Sequence, residues 1–201
     1  MKLKSLLLMG ICALFCIGAH AQTAMQVLDK TAAVIGHKSG ASANFQMSNP
    51  KYGSASGTIA IKGNKFNART DQAIVWFDGT TQWSYMKNTN EVNVSKPTQA
   101  KQMSMNPYTF INIYKTGYNM SMTTKGNNYE VHLTAQNQKR SVAELYITIN
   151  KKSYIPSQVK MRQDKTWSTI TVSNFKAKSI PNSTFVFNSK EFPKAEIVDL
   201  R

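Results

Sequence analysis

Cysteine is nearly absent from this chain: 201 residues contain two, Cys12 and Cys16. Both lie within the first 21 residues, so the rest of the sequence can build neither a disulfide framework nor a thiolate zinc site. Carboxylates are scarce as well, ten Asp and Glu against 25 Lys and Arg. They are scattered (Asp29, Asp71, Asp78, Glu91, Glu130, Glu144, Asp164, Glu191, Glu196 and Asp199) and leave little material for a metal cluster or a general acid–base pair. Only His37 and His132 lie beyond residue 21, without H-x-x-x-H spacing, so no metal and no other cofactor is expected. A glycine-rich phosphate loop is missing too; Lys62-Gly63-Asn64-Lys65 reads as a turn between strands. Gly40-Ala41-Ser42-Ala43-Asn44 is one residue short of a nucleophile elbow and lacks its strand–turn–helix context. Ser42 with His37 or His132 is therefore not expected to form a hydrolase site, and no enzymatic activity is expected.

What is present begins with an address. Lys2 and Lys4, an apolar run over 6–17 and the small-x-small triplet Ala19-His20-Ala21 predict a secretory signal peptide cleaved after Ala21. The run is too short to span a bilayer, which takes about 20 apolar residues, and nothing later is apolar enough to do so. The expectation is an exported, single domain over 22–201. Its loss of two Lys lowers the formal charge from +15 to +13. The lysines are spread along the chain rather than clustered, and export removes the protein from cytosolic nucleic acid, so nucleic acid is not an expected partner. A surface meeting anionic membranes or acidic proteins suits the charge better. At 41% hydrophobic residues the chain is too apolar to be disordered.

Periodicity then divides the domain. Met25, Leu28, Ala32 and Ile35 recur at helical spacing over 23–35, and Gly36 follows where a helix end favours positive φ. A second helix is expected from Asn106 as N-cap and Pro107 at the first position, with Phe110, Ile111, Ile113 and Tyr114 on its apolar face and Gly117 closing it. Elsewhere the period shortens to two. Ile59 and Ile61, 74–77, 82–85, 91–94, Met120 and Met122, 129–133, 145–149, 159–161, 167–175 and Phe185-Val186-Phe187 bring the strands to about eleven. Asp78-Gly79 signals a hairpin of the type I′ kind. With few helices between them, the strands are expected to pair antiparallel. Eight Met lie beyond residue 21, four of them (Met103, Met105, Met120 and Met122) flanking the second helix. They either fill a core or line an adaptable binding surface.

Three stretches carry a resemblance. Gly57-Thr58-Ile59-Ala60-Ile61-Lys62 leads through Phe66 to Ile74-Val75-Trp76-Phe77-Asp78-Gly79-Thr80-Thr81-Gln82-Trp83-Ser84-Tyr85. The second is Asn106-Pro107-Tyr108-Thr109-Phe110-Ile111, and the third is the ending from Phe185-Val186-Phe187 to Ile197-Val198-Asp199. Together with the leader they resemble the periplasmic outer-membrane lipoprotein carrier family (LolA-like) across nearly the whole of 22–201. The resemblance implies a mainly β fold with a few helices: an unclosed antiparallel β-barrel, or half-barrel, with a helical lid over an apolar cavity. It implies a monomer in the periplasm that ferries acylated lipoproteins from the inner to the outer membrane. The implied partners are an inner-membrane lipoprotein-releasing transporter and an outer-membrane acceptor. The alternative on the same fold is a periplasmic lipid-sensing or interaction domain of an envelope-stress regulator. One position departs from the family: the Arg that follows the strand-ending Lys and helps hold the lid is Gly63 here, so that latch does not carry over.

For an acyl-chain cavity, alternation points to Ile59, Ile61, Val75, Phe77, Trp83, Tyr85, Val92, Val94, Leu145 and Ile147 from the strands. The helices would add Met25, Leu28, Phe110, Ile111 and Tyr114. An error of one residue in any strand exchanges its two faces.

Overall fold

The computed structural model of the chain describes residues 22–51, 53–98, 101–102 and 113–201. The leader, and the second helix apart from its last positions, lie outside the described residues. At 113–115 the chain makes a turn that leads into the next strand.

Helix α1 (Ala24–Ile35) starts at a capping box. Gln26 N–H donates to Thr23 Oγ1 at 3.2 Å, and Thr23 N–H to Gln26 Oε1 at 3.0 Å. It ends at Gly36, whose φ is −79° rather than positive. The glycine is explained by crowding instead, because a Cβ there would stand 2.9 Å from the Ala32 carbonyl oxygen.

The strands form one twelve-stranded sheet. In chain order they are β1 (Ala41–Asn49), β2 (Gly53–Lys62), β3 (Lys65–Thr70), β4 (Ala73–Phe77), β5 (Gln82–Met86), β6 (Glu91–Ser95), β7 (Tyr118–Lys125), β8 (Asn128–Ala135), β9 (Glu144–Asn150), β10 (Pro156–Gln163), β11 (Thr166–Ala177) and β12 (Glu196–Asp199). Their order in space is β12-β6-β5-β4-β3-β2-β1-β11-β10-β9-β8-β7. The sheet is therefore two meanders, β1 to β6 and β7 to β11, joined where β1 pairs with β11. Every pairing is antiparallel except that of β12 on β6, which is parallel. β7 and β12 are its two ends, so the sheet is not closed into a barrel. Register shifts insert an extra residue into β11 opposite Ser42 and Asn44 of β1, and into β10 between Pro156 and Gln158, near the centre of the sheet. Such bulges bend a strand and increase its twist.

Three local expectations change. Lys65–Thr70 is a strand of its own, paired on both sides, which its single bulky apolar residue Phe66 did not announce. Phe185-Val186-Phe187 is not a strand. Pro181 leads into a 3₁₀ turn over Asn182–Phe185, with Thr184 N–H donating to Pro181 O and Val186 N–H to Ser183 O. The last strand is instead β12. The hairpin after β4 closes through four residues, 78–81, rather than two. Asp78 Oδ1 accepts the N–H groups of Thr80 and Thr81, both at 2.8 Å, and so supplies the turn a type I′ pair would otherwise make.

The two faces of the sheet bury different things. One face, under α1, carries the main apolar cluster, from Phe66 and Phe77 through Ala43 and Val172 to Val131 and Leu133. The other is covered over β4 to β6 by residues 178–195, which run from β11 to β12. There Phe187 and Phe192 stand edge-on to Trp76 at 5.4 and 5.5 Å, and Phe192 lies 4.7 Å from Tyr85. Lys62 Nζ donates to Ile180 O at 2.9 Å at the start of this crossing.

Candidate functional site

The α1 face is where apolar surface, soft side chains and an open sheet meet. The helix turns Val27, Leu28, Thr31 and Ile35 inward, all buried. Asp29 and Lys30 leave it for the flanks, where polar groups fasten the helix. The buried Tyr114 donates its hydroxyl to Asp29 Oδ1 at 2.5 Å, and burial together with the carboxylate raises its pKa. Lys30 Nζ donates to Tyr154 Oη at 3.2 Å and stands 4.8 Å from the centre of the same ring. Gln22 Oε1 accepts from the hydroxyls of Tyr129 and Tyr154, each at 3.2 Å. Tyr154 makes these contacts from φ +56°, a conformation a bulky side chain adopts only under constraint. The hydrogen bond from Lys30 lowers its pKa. Gly63 sits at φ +60° in the β2–β3 turn, where an L-residue would be strained.

Around a fully buried centre runs a half-buried apolar rim: Phe45 and Met47 on β1, Met120 and Met122 on the end strand β7, Tyr129 on β8 and Met25 on the helix. Methionine fills irregular apolar shapes without a fixed rotamer, which suits a surface that repacks. The Thr31 hydroxyl on the inner side of the helix is buried and has no hydrogen-bond partner among the described residues. Such an atom carries a desolvation penalty of about 1–3 kcal/mol.

The structure sorts the expected lining residues into two sets. Ile59, Ile61, Val75, Phe77, Leu145 and Ile147 share the α1 face with Met25, Leu28 and Tyr114. Trp83, Tyr85, Val92 and Val94 do not. Trp83 pairs across the strands with Trp76 and Val94, and Tyr85 with Ile74 and Val92, all on the face covered by residues 178–195. Parity decides this. Gln82 lies opposite Phe77, so Gln82 and Ser84 take the α1 face in β5, and Asn93 takes it in β6. The bulky members of those strands thus serve a second core. Phe110 and Ile111 lie outside the described residues. Val131, Leu133, Val159, Met161, Ile170 and Val172 also belong to the α1 face, and their alternation was visible in the sequence. Ala41 and Ala43, equally central, gave no such signal.

Among the described residues, no group of three or more His, Asp or Glu is placed to hold a metal ion, and no helix is long and apolar enough to cross a membrane.

The chain resembles several solved structures. A conserved protein from Thermus thermophilus superposes with a TM-score of 0.60 at 12% identity, covering 89% of this chain and 99% of that one. A LolA superfamily protein from Nitrosomonas europaea gives 0.48 at 11% identity, with 83% and 99% covered. A chain of the Pseudomonas aeruginosa MucA/MucB complex gives 0.44 at 9% identity, with 82% and 61% covered. Comparison with curated protein sequences returns no match. The family model described as outer membrane lipoprotein carrier protein LolA matches residues 14–165, most of the chain, and the chain therefore belongs to that family.

Proposed function

We propose that this protein is a periplasmic carrier that takes acyl chains of lipoproteins against the α1 face and ferries them from the inner to the outer membrane. The observation that carries this reading is the half-buried rim of methionine and aromatic side chains around the α1 face of an unclosed sheet. Family membership gives the same direction. Burying a methylene is worth about 0.8 kcal/mol, so a 16-carbon chain gains on the order of 10 kcal/mol gross. A carrier must nearly match a membrane and still let go, which favours an adaptable surface under a fastened helix over a rigid pocket. The chemistry is binding, with no bond made or broken. Residues 1–21 direct export. An inner-membrane lipoprotein-releasing transporter supplies the cargo, and an outer-membrane acceptor receives it.

Mass spectrometry of protein purified from the periplasm is expected to show co-purifying acylated species, and the purified protein is expected to take up a fluorescent fatty acid. Met122→Glu, on the half-buried rim, should reduce that uptake about tenfold while leaving the thermal midpoint within a few degrees. An empty protein that takes up no fatty acid and instead captures a membrane-bound regulator would transfer the assignment to the sensing reading.

A further inference from the structure

Away from α1 and from residues 178–195, the second face of β8 to β11 is neither apolar nor uniformly charged. Tyr146 of β9 stacks on His132 of β8 with ring centres 4.1 Å apart and planes 3° from parallel. Trp167 of β11 stands 5.9 Å from Tyr146, tilted by 38°, and remains 37% exposed. One carboxylate sets this arrangement. Glu144 Oε1 lies 2.7 Å from His132 Nε2 and accepts the Tyr146 hydroxyl at 3.1 Å, while Oε2 accepts Arg162 Nε at 3.0 Å and Nη2 at 2.9 Å. Arg162 in turn lies 5.8 Å from the Trp167 ring centre. Burial works against the Glu144 charge, but the hydrogen bonds from Arg162, His132 and Tyr146 outweigh it and lower its pKa. A depression of about 410 Å³ adjoins the two rings. Its polar lining is Glu130, Thr148, Gln158, Lys160 and Thr169.

We infer that this depression is a binding site for an uncharged oligosaccharide, independent of the acyl-chain reading and on the opposite face of the sheet. A pyranose presents an apolar C–H face and a rim of hydroxyls, and the site offers both complements. Exposed Trp167 beside Tyr146 gives an aromatic platform, and around it stand two hydroxyls, an amide, a carboxylate and an ammonium, so that each sugar hydroxyl can find a donor or an acceptor. The lining holds one charge of each sign, Glu130 and Lys160, and so presents no net charge to a ligand, which suits an uncharged one. The two rings touch each other at a tilt, which leaves no slot between them for a flat aromatic base.

The test is calorimetric titration of the protein with chitotetraose, maltotetraose and cellotetraose, with AMP as the aromatic phosphorylated competitor. At least one tetrasaccharide is expected to bind, and AMP is not. Trp167→Ala and Gln158→Ala should each weaken that binding about tenfold, the size of one stacking or buried polar contact. Trp167→Phe should recover most of it, and Lys178→Ala, remote from the site, should leave it unchanged. Trp167 is exposed, so its variants fold, which their melting curves check. Three outcomes overturn the inference: no tetrasaccharide binding at roughly 10 mM ligand, where even millimolar affinity would register; binding indifferent to Trp167→Ala; or AMP binding in place of sugar.

Discussion

Glycine inside a strand ordinarily weakens it, yet Gly57 stands in mid-β2 facing Phe45 on one side and Thr70 on the other. A Cβ built there would come to 1.9 Å from the Arg69 carbonyl oxygen, a backbone atom that cannot swing aside. Gly57→Ala must therefore push β3 away from β2, and that displacement runs through Ile59 and Ala68 into the α1 face. The expected cost is about 3 kcal/mol, at the upper end of overpacking penalties, and urea denaturation of the variant measures it. A change below about 0.5 kcal/mol, the ordinary range of a harmless surface substitution, would show that the strands are not held this close.

At the scale of elements, residues 178–195 act as one device. They leave β11, cross the outside of the first meander and deliver β12 to the far side of β6, fastening strands that are distant from β11 in the sheet. Phe192, between Trp76 and Tyr85, is the central contact of that crossing. Phe192→Ala is expected to cost about 3 kcal/mol and to shift tryptophan emission to the red as Trp76 meets water. Unchanged emission would mean that the segment does not shield the ring.

The same segment shows how far the sequence could be read. Strand existence was legible wherever large β-branched or aromatic residues alternate, as in β4, β5, β6 and β9. It failed at β3, where Asn67, Ala68 and Arg69 dilute the signal, and at 185–187, where an alternating Phe-Val-Phe packs its rings without pairing its backbone. The site was half legible for a related reason. Alternation gives two faces but does not label them, and in β5 and β6 the larger side chains turned to the second core. Glu144 with its three partners could not be read at all. The pairing of β8, β9 and β10 creates it, and sequence distance hides such a set.

Taken whole, the molecule uses its sheet on both sides. One side holds a helix over soft apolar surface; the other holds a terminal segment at one end and an aromatic, hydrogen-bonding patch at the other. The two functions proposed for these faces share no residue, so a variant of one leaves the other measurable.

The union of the two meanders has a kinetic consequence. Strands within each meander meet neighbours close by in the chain, but β1 meets β11 across the whole intervening length, Ala41 against Ala177 and Phe45 against Val172. Long-range pairing is the slow part of folding, because the entropy of closing a large loop is lost before any contact repays it. Until the seam closes, each half carries an unfinished apolar face and a bare strand edge. Val172→Ala, at the seam, should slow refolding in stopped-flow measurements, whereas Val131→Ala, inside the second meander, should chiefly speed unfolding. The newly made chain would then be most exposed to aggregation in the interval before β11 reaches β1, and a holding chaperone would help it most during that interval.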